Sequence, residues 1–492
     1  MLLSKIIQTC KDELEIANFK DYNIQGIQTD SRLIKKNNIF FALDGRSVKG
    51  IDFVDSAINN GAVVVVCSSK ENYTNNNIVV IKCDDVINIL GKCLQVFYNP
   101  LPTHIVGITG TSGKTSVAEF TRQAIQKLGI DSASIGTLGV NFENSHLKED
   151  TLTMRETVDL YEKLHYLKAE KNIDYVAMEF TSQGLHQRRA VGIKAEIGLF
   201  NNITPEHLDY HITMDDYLNQ KLKLFTEVLN DNSIAIINAD IPEYEKIKSV
   251  CKTHNHNILT YGFNGDVKII NIETHLQGQN ITFQYNNQEY TIKTPFIGKF
   301  QAMNLLATFS ILVSLDIEKS IDKIVSVLEN IKQAEGRMEL VGVKDNGATI
   351  YIDFAHKPDA LKQVLETMKD HISHDKEARI AILFGCGGDR DKTKRPIMGK
   401  IANDLADFVI ITDDNPRTEN ADIIRSEIVA TCPNALNIAD RKIAIEKAID
   451  LLKPKDILIL AGKGHEKYTI IGKELLPFDE FKIVKDYLKK DK

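Results

Sequence analysis

Along the chain, apolar and polar positions fall into one recurring short unit. A run of β-branched and other apolar residues is followed at once by a polar loop carrying glycine, proline or histidine. "HIVGITG" leads into "TSGKT", "DYVAMEF" into "TSQG", and "AEIGLFNNI" into "TPEHLDYH". Later, "ARIAILF" leads into "GCGGDRDK", "DFVIIT" into "DDNPR", and "DILILAG" into "KGHE". Short continuous apolar runs bounded by turn residues predict buried strands. Helical periodicity fills the gaps. In "SVAEFTRQAIQKLG", Val117, Phe120, Ala124 and Leu128 share one face, and Gly129 fits as the terminating residue. Strands alternating with helices predict a parallel sheet covered on both faces, with ligands bound beyond the carboxyl ends of the strands. All six polar loops fall at that end.

The first hundred residues add the strand candidates "NIFFAL" and "AVVVVC", separated by a helical pattern around "FVDSAINNGA". The opening "MLLSKIIQTCKDELEIANF" predicts an amphipathic helix. Two prolines in "NPLPTH" mark a domain boundary. "KIINIETHLQGQNITFQYNNQEYTIKTPFIGKF" alternates as a small antiparallel insert, "AMNLLATFSILVSL" reads as a buried helix, and "KQAEGRME" as a hinge. The expected fold class is α/β in three domains. Residues 1–101 form a small α/β domain, 102–334 a central P-loop domain on a parallel sheet, and 335–492 a Rossmann-like domain.

Composition narrows the setting. The 492 residues are 43% hydrophobic and 26% charged with net charge −7, as expected of a soluble globular protein. Without a basic tract, nucleic acid is not an expected partner. No run approaches the roughly 18–20 apolar residues of a membrane helix, and the start does not read as a signal peptide. Seven scattered cysteines fit reduced thiols in a cytoplasmic protein better than a disulfide frame or a zinc site. Small-molecule partners and a monomer are expected.

The loop "GITGTSGKTS" misses the usual Walker spacing by one residue, its first glycine standing at 107 where 108 is wanted. A strand before it and a helix after it still make it a phosphate site. Gly110, Thr111, Ser112, Gly113 and Ser116 offer backbone amides at a helix N-terminus. Lys114 suits the β- and γ-phosphates, and Thr115 a magnesium ion.

"GITGTSGKT" resembles the loop of the Mur ligases and their folylpolyglutamate synthetase relatives. "TDSR", "EFTSQGLHQRR", "PEHLDYH", "GKFQAMN", "EGRME", "DFAHKPDAL", "GCGGDRDKTKRP", "DNPR" and "AGKGHE" then follow in family order over nearly the whole chain. The set resembles the MurE type, which adds the third amino acid to UDP-N-acetylmuramoyl-L-alanyl-D-glutamate. The resemblance implies ATP-driven amide ligation through an acyl phosphate, in peptidoglycan precursor synthesis.

It further implies residues for each step. Ser31, Thr153, Met154, Ser182, Gln187 and Arg189 would meet the UDP-sugar peptide. Asn304, Arg337 and Asp353 would meet ATP, with His356 from the third domain acting beside them. Glu179 and His207 would hold a second magnesium; without the resemblance, a surface acid and a loop histidine are the simpler readings. Lys221 would be carried as a carbamate, N6-carboxylysine, serving the metal, although spacing alone does not choose it over Lys223. Arg390, Asp414, Asn415, Pro416, Arg417, Gly462 and Glu466 would hold diaminopimelate, whose second carboxylate suits the guanidinium fork of Arg417. The alternatives are the same ligase using lysine or lanthionine, a folate polyglutamate ligase, and a non-catalytic P-loop protein. The sequence departs from the family pattern at Met154 and Arg155, Gln183, Glu206, Gln301, Phe354 and Lys357.

Overall fold

The density of β-branched residues decides where the sheets form. In the computed structural model, which describes residues 1–490 except 46–47, 144, 148–152, 207, 276–277, 374 and 376, all six quoted runs are strands. The chain forms two compact units, one of residues 1–261 with 310–319, the other of 262–309 with 320–492.

In the first unit, Asn38–Phe41 and Ala62–Ser68 pair in parallel within a five-stranded sheet. The start of the chain corrects the sequence reading. Instead of one amphipathic helix it forms a short helix (Leu3–Ile6), a 3-10 helix (Gln8–Glu13) and a strand (Glu15–Ala17). The apolar face was real, since Leu3, Ile6, Ile7 and Cys10 are buried. Tertiary bonds win over local propensity: Leu3 N–H donates to Tyr22 O, and Glu15–Ala17 pairs antiparallel with Val79–Cys83.

The central sheet places His104–Thr109 between Tyr175–Glu179 and Ala195–Phe200, all parallel. Ser132–Gly136 continues it beyond Tyr175–Glu179, and Leu229–Asn238 beyond Ala195–Phe200. Because neighbouring parallel strands end on the same side, the loops after Thr109, Glu179 and Phe200 become neighbours. The helix Lys114–Lys127 buries Val117, Phe120 and Ala124 and stops before Gly129, whose φ is +89°.

In the second unit, Val267–His275, Gly278–Tyr285 and Gln288–Thr294 form the expected antiparallel insert. The helix Lys299–Leu315 starts here with Ala302, Leu305, Leu306 and Phe309 fully buried. The last sheet runs Thr349–Asp353, Ile457–Ala461, Ile380–Phe384, Phe408–Ile411 in parallel, edged by antiparallel Glu339–Val343. Its strand order brings the "DFAH", "AGKGHE", "GCGGDRDK" and "DNPR" loops to one end. All seven cysteines are unpaired and buried. Among the described residues no helix is long and apolar enough to cross a membrane.

Candidate active site

The loop after His104–Thr109 turns through glycine at two points that need it. Gly110 has φ +152° and Gly113 has φ +78° at the helix N-cap, where only glycine is unstrained. Asn202 Oδ1 accepts the backbone N–H of Thr111 and of Ser112, and Asn201 Nδ2 donates to Ser112 O. The strand Ala195–Phe200 thus shapes the phosphate loop from the side.

Two lysines meet at one carbonyl. Lys114 Nζ lies 2.8 Å from Gly110 O, and Lys221 Nζ lies 2.7 Å from the same oxygen. Lys221 is 1% exposed, whereas Lys223 is half-buried and faces Glu227 at 3.7 Å. The fold therefore chooses between the two lysines that spacing left open. Burial first, and the charge of Lys114 second, hold Lys221 well below an ordinary lysine.

Thr115 Oγ1 donates to Glu179 Oε2 at 3.1 Å, and Glu179 is 3% exposed. The sequence reading missed Thr137, whose N–H donates to Glu179 Oε1 at 2.8 Å and whose hydroxyl meets Thr153 Oγ1 at 3.1 Å. His207 lies outside the described residues. Among those described, no cluster of three or more His, Cys, Asp or Glu is arranged to hold a metal. A threonine hydroxyl beside one buried carboxylate nevertheless fits magnesium, which takes oxygen donors and relies on one or two carboxylates plus phosphates.

Next to this lies the predicted substrate group. Arg189 bonds Met154 O at 2.7 Å and Gln187 Oε1 at 2.8 Å, and pairs with Glu156 at 2.9 Å. Ser182 Oγ sits 2.9 Å from His211 Nε2, a histidine that the sequence reading passed over. Arg155, at a position of family departure, is buried against Asp159. Ser31 is buried in the N-terminal domain, and its carbonyl accepts from Asn60.

The second unit gathers the other residues. Asp353 accepts N–H bonds from Met338 and Ala355, yet burial raises its carboxyl to about 6. Arg337 stacks over Phe354 at 4.9 Å, while Asn304 donates to Gln301 at 3.1 Å. Burial lowers His356 to about 4, so it is neutral near pH 7. Asn415 donates to Glu466 at 3.0 Å. Lys463, fully buried between two glycines and also missed from sequence, lies 3.3 Å from Asp414 and 3.1 Å from Asn415 Oδ1. Burial works to raise Asp414, but Lys463 and Arg441 overcome it and hold the carboxyl below its usual range. Glu466 is raised, by burial and then by Asp414.

Arg417 (φ +51°) donates to Gly388 O at 2.9 Å, tying "DNPR" to the "GCGGDR" loop, where Arg390 is exposed. Gly462 leaves space for Asp414, since a Cβ there would stand 3.2 Å from its carboxylate. Pro416 O lies so close to Gly388 that a Cβ at that glycine would collide with it.

A glycine-turned phosphate loop before a helix, with a buried threonine–glutamate pair beside it, suits a nucleotide-binding enzyme, and three family models match the chain. They are the Mur ligase family, catalytic domain (residues 23–98), the Mur ligase middle domain (108–312), and the Mur ligase, glutamate ligase domain (336–464). The chain belongs to the Mur ligase family of ATP-dependent amide ligases. It is similar along its length to UDP-N-acetylmuramoyl-L-alanyl-D-glutamate–2,6-diaminopimelate ligases. That of Rickettsia typhi is 41% identical over 96% of this chain and 94% of its own. That of Rickettsia rickettsii is 41% identical over 96% and 97%. A solved structure of a ligase of that name matches with TM-score 0.71 and 29% identity, covering 95% of each chain.

Proposed function

We propose that this chain joins meso-diaminopimelate to UDP-N-acetylmuramoyl-L-alanyl-D-glutamate at the cost of ATP, as a cytoplasmic monomer. A carboxylate does not condense with an amine in water, because its oxygen is a poor leaving group. Transfer of the γ-phosphoryl group to the glutamyl carboxylate gives an acyl phosphate and ADP. Attack by the amine then forms the amide and releases phosphate and a proton. Catalysis of the first step is positioning and charge neutralisation.

In this reading the amides of residues 110–116 and the Lys114 ammonium cradle the phosphates. Asn304, Arg337 and Asp353 bind the nucleotide, with the neutral His356 beside it. Ser31, Thr153, Met154, Ser182, Gln187 and Arg189 hold the UDP-sugar peptide. One magnesium held by Thr115, and a second held by Glu179 and His207, would supply positive charge to the transferring phosphoryl group. Neutral Lys221 adds carbon dioxide, forming an N–C bond and losing a proton, and the resulting carbamate is an oxygen donor in place of a cation. The observation that carries the reading is the pair of lysines converging on Gly110 O, one of them buried and low in pKa.

Diaminopimelate is favoured over lysine by Arg417, held at the "DNPR" turn near Asp414, Asn415 and Glu466. Arg390 would take the same substrate's carboxylate, and Pro416 and Gly462 shape the pocket. Phosphate release measured with the UDP-dipeptide and a panel of diaminopimelate, lysine, lanthionine and folate substrates tests it. Turnover only with diaminopimelate is expected; a lysine preference would defeat the Arg417 argument.

A further inference from the structure

We propose that His211 is a positioning residue that fixes the polarity of the Ser182 hydroxyl, so that Ser182 receives a hydrogen bond from an N–H or O–H of the sugar-peptide substrate. The inference rests on the reading of Ser182 as a substrate contact.

His211 is 1% exposed; its Nε2 is within hydrogen-bond distance of Ser182, whereas its buried Nδ1 makes no hydrogen bond among the described residues and has the Asp216 carboxylate as its charged neighbour. Nε2 is 2.9 Å from Ser182 Oγ, and Nδ1 is 3.4 Å from Asp216 Oδ2. An ionised carboxylate only accepts hydrogen bonds, and a bare Nδ1 would set a lone pair against its charge. The ring proton therefore belongs on Nδ1, which leaves Nε2 as an acceptor. The Ser182 proton is then committed to Nε2, and the oxygen's lone pairs remain for the ligand. A substrate phosphate or carboxylate oxygen would meet lone pairs there and be disfavoured; an amide N–H or a sugar hydroxyl would be welcomed.

The carboxylate is itself oriented. Gln220 Nε2 donates to Asp216 Oδ1 at 2.9 Å, leaving Oδ2 for the histidine. Tyr210 and Tyr217 pack on the imidazole at ring distances of 4.6 and 5.3 Å. The charged and titratable groups facing it are Asp216, His186 and Lys221. Asp216 and Gln220 sit on the helix Met214–Lys223, which also carries Tyr217, 3.1 Å from Thr111 Oγ1, and Lys221 at Gly110. One helix thus orders both the phosphate loop and Ser182. The series has the order of a Ser–His–Asp relay, but the ligation needs no protein nucleophile, so it orients the hydroxyl instead of activating it.

The test is steady-state kinetics of Asp216→Asn, Ser182→Ala and the double variant. The Asp216 side chain is 41% exposed, so its exchange spares the core. The Gln220 donor draws the asparagine oxygen to itself and turns the amide N–H toward Nδ1, which reverses the tautomer and turns the serine proton outward. Asp216→Asn is expected to raise KM for the UDP-dipeptide by about tenfold, with kcat and KM for ATP within about twofold, and to add nothing to Ser182→Ala. Additive effects, or a change confined to kcat or ATP, overturn the proposal. Ser182→Ala without effect defeats the substrate contact and the proposal together. An effective Ser182→Ala with a silent Asp216→Asn defeats the proposal alone. If Asp216→Asn does not fold, the 15N spectrum of the wild-type protein decides, with the His211 signals assigned from a His211→Gln sample. A proton on Nδ1 is expected, and one on Nε2 overturns it.

Discussion

Gly136 ends the strand Ser132–Gly136, beside the strand that ends at Glu179, and its φ is not in the left-handed region. Alanine there meets no backbone objection; its cost comes from what the side chain would touch. A Cβ would stand 2.6 Å from Glu179 Cγ and nearer still to its carboxylate, whereas ordinary contact begins near 3.4 Å. The carboxylate must retreat by about an ångström, which breaks the 2.8 Å bond from Thr137 N–H and the 3.1 Å bond from Thr115. Losing a charge-assisted bond at a buried acid costs about 1.5–3 kcal/mol, but a glutamate tip can move, so the fold survives with a loss of about 1–3 kcal/mol. Misplacing a phosphate-side group by an ångström costs turnover about 100-fold. Gly136→Ala is therefore expected to lower kcat for UDP-dipeptide-dependent phosphate release by about two orders of magnitude, with the UDP-dipeptide dissociation constant little changed. A variant with kcat within a factor of two of wild type, shown folded by thermal unfolding, would refute the role given to Glu179.

Three other outcomes follow from the same geometry. Lys221→Met should lower kcat by about 10²–10³-fold yet stabilise the fold in CO2-free buffer. Because burial lowers the folded lysine's pKa, the unfolded chain binds more protons between that value and 10.5, so wild-type stability rises with pH through that window. The advantage of methionine should be largest at and below that lowered pKa and shrink as pH rises toward 10.5; denaturant midpoints across pH check the sign. Asp353, raised from 3.8 to about 6, has the opposite sign, since the folded state holds the extra proton. Wild type should lose stability relative to Asp353→Asn by about 3 kcal/mol as pH rises from 3.8 to 6, and stay level above; His356 is common to both chains and cancels. Arg417→Lys should raise KM for diaminopimelate about 10- to 100-fold and leave that for the UDP-dipeptide unchanged, as initial-rate measurements would reveal.

Much of this was written in the order of residues. Periodicity alone marked the six strands and the helix after the phosphate loop, because burial on both faces of a parallel sheet demands continuous apolar runs. Glycine at 110 and 113 was legible because backbone conformation is a local property. Local pattern misled at residues 3–17, where a genuine apolar face is used by a broken helix and a strand paired with residues 79–83.

What tertiary structure decided was which polar groups meet. Nothing in the sequence near Lys221 separates it from Lys223; one is buried at Gly110 and the other is not, because the helix carrying both turns only one face inward. Thr137, Asn202, His211 and Lys463 gave no spacing signal, since each meets its partner across neighbouring strands or loops far apart in the chain. Side-chain period is a property of consecutive residues, whereas hydrogen bonds, desolvation and charge depend on distance in space. The sequence by itself determined the six quoted strands, the helix after the phosphate loop and the turn before it; only the folded structure decided which lysine lost its water and which serine found a histidine.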